Sequence, residues 1–368
     1  MNLIPDELPD LRRVGLLAID SEERDNGLQA DRGSSWPWRD GHVCGISVAY
    51  RADGEVRGLY LPMRHPDTQC FPPEQVYAWL AAHVACGPKF LTHNGPFDWG
   101  WFRAEAGIRM PPSERIEELG ALATLTNENR RDYGLDALAK SCGFPGKDES
   151  LLREGCTTLE LVTNKRKKFR PQSYLWQLPA RYVAAYAVAD AINTLLVFDQ
   201  LNPILDRENT RDAYQLDRDL VPLIVEMRAR GIRIDVAAAE RARDLLLGKR
   251  DAVLAQLSDK LGMAVSMDEL NRSRWKAPIF DREKVKYPRT EKGSPSFTGN
   301  WMEGHPHWLP QLICEAEKYH RAGDKFVGNA IFRDYVRKCP VATKRVLRPS
   351  SKWPTSAPVS WNGSRKAP

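Results

Sequence analysis

The sequence predicts an α/β protein in which a mixed sheet is flanked by helices and followed by a mainly helical segment. Three observations lead there. Val14 to Ile19 is an apolar run of strand length that ends at Asp20. His42 to Tyr50 and Glu55 to Leu61 are strand patterns joined by a turn holding Asp53-Gly54. Helical and strand patterns then alternate, which calls for helices packed on the faces of the sheet.

The elements follow in order. Pro72-Pro73-Glu74 opens a helix through Val76, Leu80 and Val84, with proline in its first turn and Gly87-Pro88 as its stop. Lys89 to Thr92 is short and apolar enough for a fourth strand, and Phe97 to Ala106 makes the next helix. Three strands, helix, strand, helix is the order of a ribonuclease-H-like sheet. Tyr133 to Ala139 begins a short helix, Leu151 to Leu178 is poorly periodic, and Pro179 to Leu201 is a long amphipathic helix that can return side chains to the sheet.

A length of 368 residues favours two domains over one. From Asp206 the composition changes to helices rich in Arg, Asp and Leu, so the expected division is an α/β domain over 1–205 and a helical segment over 206–337. Residues 338–368 are rich in Pro, Ser, Lys and Arg, hold no acid and show no periodicity, and are expected to be disordered.

Bulk properties narrow the function classes. A hydrophobic fraction of 42% can bury a sizeable core, and a formal charge of +6 has the sign that suits a phosphate-rich partner. The seven cysteines are scattered without a Cys-x-x-Cys pair, which excludes the common zinc arrangements and fits reduced thiols. The N-terminus carries acids and prolines where a secretory signal has basic and then apolar residues. No apolar run approaches the ~20 residues of a membrane helix, so the expected location is cytoplasmic, the host cytoplasm if the protein is viral.

The candidate chemistry lies in carboxylates. Asp20 and Glu22 have the alternate spacing that places two side chains on one face of an extended segment. Asp98 falls in the first turn of a predicted helix, where the dipole favours a carboxylate and where capping is the simpler explanation. Tyr186 and Asp190 are one helical turn apart. Hard divalent cations prefer such oxygen ligands, and a pair of ions ~4 Å apart is the arrangement that hydrolyses phosphodiesters. Each member alone is more simply a surface or capping residue; the set in order is not.

At these residues a family resemblance emerges. Ala18-Ile-Asp20-Ser-Glu22, His93-Asn94-Gly-Pro-Phe-Asp98 and Tyr186-Ala-Val-Ala-Asp190 resemble the three exonuclease motifs of the DEDD superfamily, tyrosine subclass. Trp36 to Gly45 and Asn129 to Ala139 resemble the proofreading domain of bacteriophage family A DNA polymerases, and the likeness spans roughly residues 12 to 205. Leu216 to Asp235 resembles the beginning of the polymerase region, and Tyr287 to Phe297 the stretch leading into its thumb.

The resemblance implies that Asp20, Glu22, Asp98 and Asp190 bind two divalent metal ions, Mg²⁺ or Mn²⁺. Glu22 and Tyr186 would orient the attacking water, and Asn94 would sit near the substrate. Where many relatives begin a segment with aspartate, this chain has Ile116-Glu-Glu-Leu119, which leaves an auxiliary role for Glu117 or Glu118 open. The implied substrate is single-stranded DNA or a frayed 3′ primer end. For gripping it, Trp36 in a predicted loop and Phe97 are stacking candidates, although Phe97 shares a helix face with Trp101 that favours burial. Lys165 to Lys168 is a candidate phosphate contact.

The palm and fingers motifs of a family A polymerase do not occur before Pro368. The expectation is therefore trimming of DNA from the 3′ end without primer extension by this chain, as a truncated or split polymerase, with a separate palm and fingers polypeptide as a possible partner. A stand-alone exoribonuclease and a catalytically idle DNA-binding fragment are the competing readings.

Overall fold

A computed structural model of the chain describes residues 3–161, 169–338 and 345–347. The described residues form two compact units that divide between Gly231 and Ile232.

Unit one is built on a five-stranded sheet of order β3-β2-β1-β4-β5. Its strands are β1 (Leu16–Asp25), β2 (Gly41–Ala52), β3 (Glu55–Pro62), β4 (Lys89–Thr92) and β5 (Ile116–Glu118). β1 pairs antiparallel with β2 and parallel with β4, so the sheet is mixed and the ribonuclease-H-like order expected from the sequence is present. Around it lie α1 (Asn26–Gln29), α2 (Pro73–Cys86), α3 (Gly95–Ala106), α4 (Leu119–Thr126), α5 (Leu135–Ser141), α6 (Ser150–Thr158), α7 (Ala180–Arg207) and α8 (Arg211–Arg230).

β1 is longer than its apolar run. The strand continues through the acidic cluster to Asp25, with Asp20 opposite Ser47 and Asp25 opposite Gly41. The two acids therefore sit within the strand instead of at its end. Hydrogen bonding to β2 overrides the composition of the segment, and the ladder is interrupted between Glu22 and Glu23, where Cys44 is the extra residue of β2. β5 and α6 lie where the sequence showed no clear pattern.

α7 is long and apolar enough to cross a membrane by length and composition, but 67% of its most apolar stretch is buried in the protein. Its apolar residues fill the core: Ala191, Leu195, Phe198 and Leu201 join Leu91, Leu119 and Leu138. The other face of the sheet packs Leu17, Ile19, Phe90, Trp99 and Phe102 into a second cluster.

The change of composition near residue 205 does not mark the division between units. α8 belongs to unit one because Tyr214 is buried in the same core as α7, and Val225 in the cluster of α3. The Tyr214 hydroxyl donates to Glu117 Oε2 at 2.8 Å and accepts from the Glu118 N–H at 2.9 Å, which ties α8 to β5. Tyr214→Phe strands both groups in the interior and is expected to cost ~1–3 kcal/mol, read by urea unfolding.

Unit two comprises α9 (Val236–Leu261), α10 (Met267–Leu270), α11 (Ser273–Arg282), α12 (Gly299–Gly304), α13 (Trp308–His320) and a π-type helix over Arg321–Tyr335. It also has a small sheet of order β6-β8-β7, from β6 (Ile232–Arg233), β7 (Val336–Lys338) and β8 (Arg345–Leu347). Phe280, Leu257, Met302 and Ile313 form its core. The tail expected to lack structure from residue 338 thus contributes Lys338 and Arg345–Leu347 to strands, because β8 pairs with both β6 and β7. Residues 339–344 and 348–368 of that tail lie outside the described residues.

Candidate functional site

β1 and α7 bring the carboxylates together. Asp20 and Glu22 project from one face of β1, and α7 crosses the sheet so that Tyr186 and Asp190, both buried, meet them. One carboxylate oxygen from each of Asp20, Glu22 and Asp190 lies within 4.8 Å of the others. They open into a cleft of about 730 Å³ that Phe97, Lys147, Arg170, Gln172 and Tyr186 also line.

Asp98 stands beside this trio and is engaged elsewhere. It is 2% exposed, and its Oδ1 accepts from the Ser21 N–H at 3.0 Å and the Ser21 hydroxyl at 2.6 Å. The expected set of four is thus three convergent carboxylates with a fourth held next to them. The Ser21 hydroxyl also contacts Glu23, a cleft residue that the sequence analysis did not single out.

Gathering so many acids raises their proton affinity. Burial pushes Glu22 up to about 8, assisted by the Asp190 charge and opposed by Lys147. Burial pushes Asp98 up to about 7, against the stabilising hydrogen bonds from Ser21. Asp20 is held well above the ordinary carboxylate range by desolvation and then by Asp98, Glu22 and Asp190, and Glu23 rises by desolvation and then by Asp98. Desolvation also raises Asp190, while Lys147 pulls it down.

This donor set fits a hard divalent cation. All its ligands are oxygens, and the repulsion among them is the term that a cation removes. Asp190 adds a specific sign: its Oδ2 is ion-paired with Lys147, whereas its buried Oδ1 has no hydrogen-bond partner among the described residues.

The remaining candidates have different fates. Glu118 supports the entrance to α3: it accepts from the Asn94 N–H at 2.7 Å, the Gly95 N–H at 2.8 Å and the Thr92 hydroxyl at 2.9 Å. Gly95 is needed there, since a Cβ would lie 2.4 Å from Thr92 Oγ1 and 2.8 Å from Glu118 Oε2. Asn94 is exposed, adopts φ 67° and makes no capping hydrogen bond through its side chain. Phe97 is partly buried and lines the cleft, while Trp101 is in the core, so the face shared by these two is split between uses.

Trp36 is not at the surface. It is 1% exposed and packs on Gly100, where a Cβ would approach its ring to 2.2 Å, while the Arg228 guanidinium lies over the ring at 5.2 Å. The loop that contains it folds inward through the Trp36–Trp38 turn, so Trp36 cannot serve as a base-stacking platform. Lys165 and Lys168 lie outside the described residues.

Sequence reasoning missed Lys147. Its Nζ donates to the Tyr186 hydroxyl at 3.0 Å and pairs with Asp190. Burial works against its charge, but Asp190 and then Tyr186 hold it above the ordinary lysine value. A lone lysine after Pro145-Gly146 gives no periodic signal and reads as a solvated loop.

The fold and this acidic centre define a class: a ribonuclease-H-like mixed sheet flanked by helices, with carboxylates gathered where β1 meets α7. The comparisons are narrower. The chain is 27% identical over 330 residues to a DNA-directed DNA polymerase of Pseudomonas phage M6, covering 89% of this chain and 48% of that protein. It is 25% identical over 328 residues to DNA polymerase DpoZ of Acinetobacter phage SH-Ab 15497, covering 87% and 49%. It is 29% identical over 197 residues to DNA polymerase I of Chloroflexus aurantiacus, covering 52% and 19%.

These relatives bear out the resemblance to phage-type DNA polymerases, and the chain spans about half the length of the first two. The POL domain of Pol1 from M. smegmatis, solved in complex with DNA primer-template and dNTP, matches the fold with a TM-score of 0.57 at 15% identity, covering 88% of this chain and 48% of that one. No family model matches the chain.

Proposed function

We propose that this chain is a metal-dependent 3′-to-5′ exonuclease that trims DNA, the proofreading module of a family A polymerase. The observation that carries the reading is the convergence of Asp20, Glu22 and Asp190 within 4.8 Å, with Tyr186 one helical turn from Asp190. The polymerase relatives support DNA as the substrate; its presentation as a single strand or a frayed 3′ primer end, and a cytoplasmic setting, belong to the proposal.

Asp20, Glu22 and Asp190 would hold two ions, Mg²⁺ or Mn²⁺, with Asp98 as the adjoining carboxylate. Bound there, divalent ions supply an ionised water at neutral pH, shield the scissile phosphate and stabilise the departing 3′ oxygen. The rest falls to the chain. The Tyr186 hydroxyl accepts from Lys147 and turns its own hydrogen toward the Asp190 carboxylate, which orients the phenol at the place where the attacking water would sit. Phe97 offers an apolar wall to the terminal base or sugar, and Arg170 offers a cation to the phosphates. Glu118, by fixing the α3 entrance, holds both Phe97 and Asp98 in place.

The test uses purified protein with oligonucleotides labelled at the 5′ end, in DNA and RNA versions, with Mn²⁺, Mg²⁺ or chelator. A ladder of DNA products shortened from the 3′ end, present with either metal and absent with chelator, is the expected result. Preferential trimming of RNA replaces the DNA reading with an exoribonuclease, and binding without trimming replaces it with an idle fragment.

A further inference from the structure

We infer that Lys147 is a built-in counter-cation of this site, which competes with metal for Asp190 in the substrate-free protein and positions the Tyr186 hydroxyl for the reaction. The inference rests on the exonuclease reading and adds to it a residue that none of the three motifs contains.

The lysine is placed by construction. Its backbone N–H donates to Asp136 Oδ1 at 2.7 Å, and Asp136 Oδ2 is in turn held by Lys140 at 2.7 Å. Gly146 allows that approach, because a Cβ there would lie 2.4 Å from Asp136 Oδ1 and 2.2 Å from Lys140 Cε. On the preceding residue, the Pro145 carbonyl accepts from Asn193 Nδ2 at 3.0 Å, and Asn193 lies on the same helix as Tyr186 and Asp190. The loop is therefore pinned to α5 on one side and to α7 on the other, with the lysine delivered between them.

Its ammonium reaches three features at once: the Asp190 carboxylate, the Tyr186 hydroxyl at 3.0 Å, and the Tyr186 ring face with its centroid at 5.0 Å. A merely solvated lysine needs none of these anchors, and this side chain is only 28% exposed. A cation bonded to Asp190 Oδ2 opposes the entry of a second cation at the same carboxylate. A cation bonded to the Tyr186 oxygen fixes the direction in which the phenolic hydrogen can point.

Two measurements on the full chain test this. In the absence of nucleic acid, Mn²⁺ binding by calorimetry is expected to tighten about tenfold in Lys147→Met, the size of a typical coupling between two ligands of one site. It is expected to stay near wild type in Lys147→Arg, which keeps the charge. With a single-stranded DNA oligonucleotide, Lys147→Met is expected to lower kcat by ~10- to 100-fold with KM little changed, as for a misdirected positioning group.

Unchanged or weaker Mn²⁺ affinity in a Lys147→Met protein of wild-type melting temperature overturns the inference. So does a parallel loss of affinity, rate and melting temperature, which marks a purely structural residue. Wild-type protein that neither binds Mn²⁺ nor trims DNA brings down the exonuclease reading itself, whereas wild-type binding and trimming with an indifferent Lys147→Met brings down this inference alone.

Discussion

Asp190→Asn is expected to slow 3′-end trimming by at least ~10³-fold under single-turnover conditions, and Asp20→Asn to do the same. Both changes keep volume and remove charge at the point where three carboxylates meet, so they act on the chemistry and not on the packing. Because Asp20, Glu22 and Asp190 converge within 4.8 Å, they work as one unit, and the double variant should fall to the same floor as either single one. Additive losses in the double variant would mean that the two residues serve separate steps, which the shared centre does not allow.

Asp98→Asn separates the fourth carboxylate from the three. Asp98 is turned toward Ser21, and the amide oxygen of Asn can still accept from the Ser21 N–H. Its rate loss therefore reports only the charge that Asp98 contributes beside the trio. A loss as large as that of Asp190→Asn would show that Asp98 leaves Ser21 and joins the centre when metal binds.

The sequence made the carboxylates legible because each sits on an element with a clear pattern. The apolar run before Asp20 marked the central strand, and the spacing of Tyr186 and Asp190 marked one face of a long helix. Where pattern was replaced by specific pairing, legibility ended. β1 runs on to Asp25 because β2 supplies hydrogen bonds, a long-range fact that the local composition of Ser21 to Asp25 does not carry. Trp36 reads as an exposed loop aromatic until Gly100, far along the chain, is seen to leave room for its ring.

The division between units shows the same limit. Composition changes near residue 205, but Tyr214 bonds to Glu117 and Glu118 and keeps α8 with the first unit. Lys147 was invisible for a related reason. Its role comes from Asp136 and Asn193 anchoring a loop that has neither period nor apolar character.

Metal-free protein should pay for the acidic centre in stability, in a way that pH can reveal. The folded state holds the Glu22 proton more tightly than the unfolded chain does, since burial raises it from 4.5 to about 8. Folding is therefore favoured in full while both forms are protonated, below about pH 4.5, and that share of stability is lost as the pH rises through about 8. Asp98 acts in the same direction from 3.8 to about 7. Glu22→Gln removes the titration, so in chelator the variant should match wild type near pH 4 and exceed it by ~4 kcal/mol at pH 8, each tenfold change in proton affinity being worth about 1.4 kcal/mol.

Added Mn²⁺ should narrow that gap at pH 8. It neutralises the wild-type site and raises its stability by about 2.7 kcal/mol at a hundred times the dissociation constant, while a variant lacking one ligand gains less. Urea unfolding at pH 4, 6 and 8, with chelator and with Mn²⁺, measures all of these terms. A Glu22→Gln protein no more stable than wild type at pH 8 in chelator would mean that Lys147 offsets the cluster more fully than its opposition to the Glu22 shift implies, and that the drive to bind metal is correspondingly small.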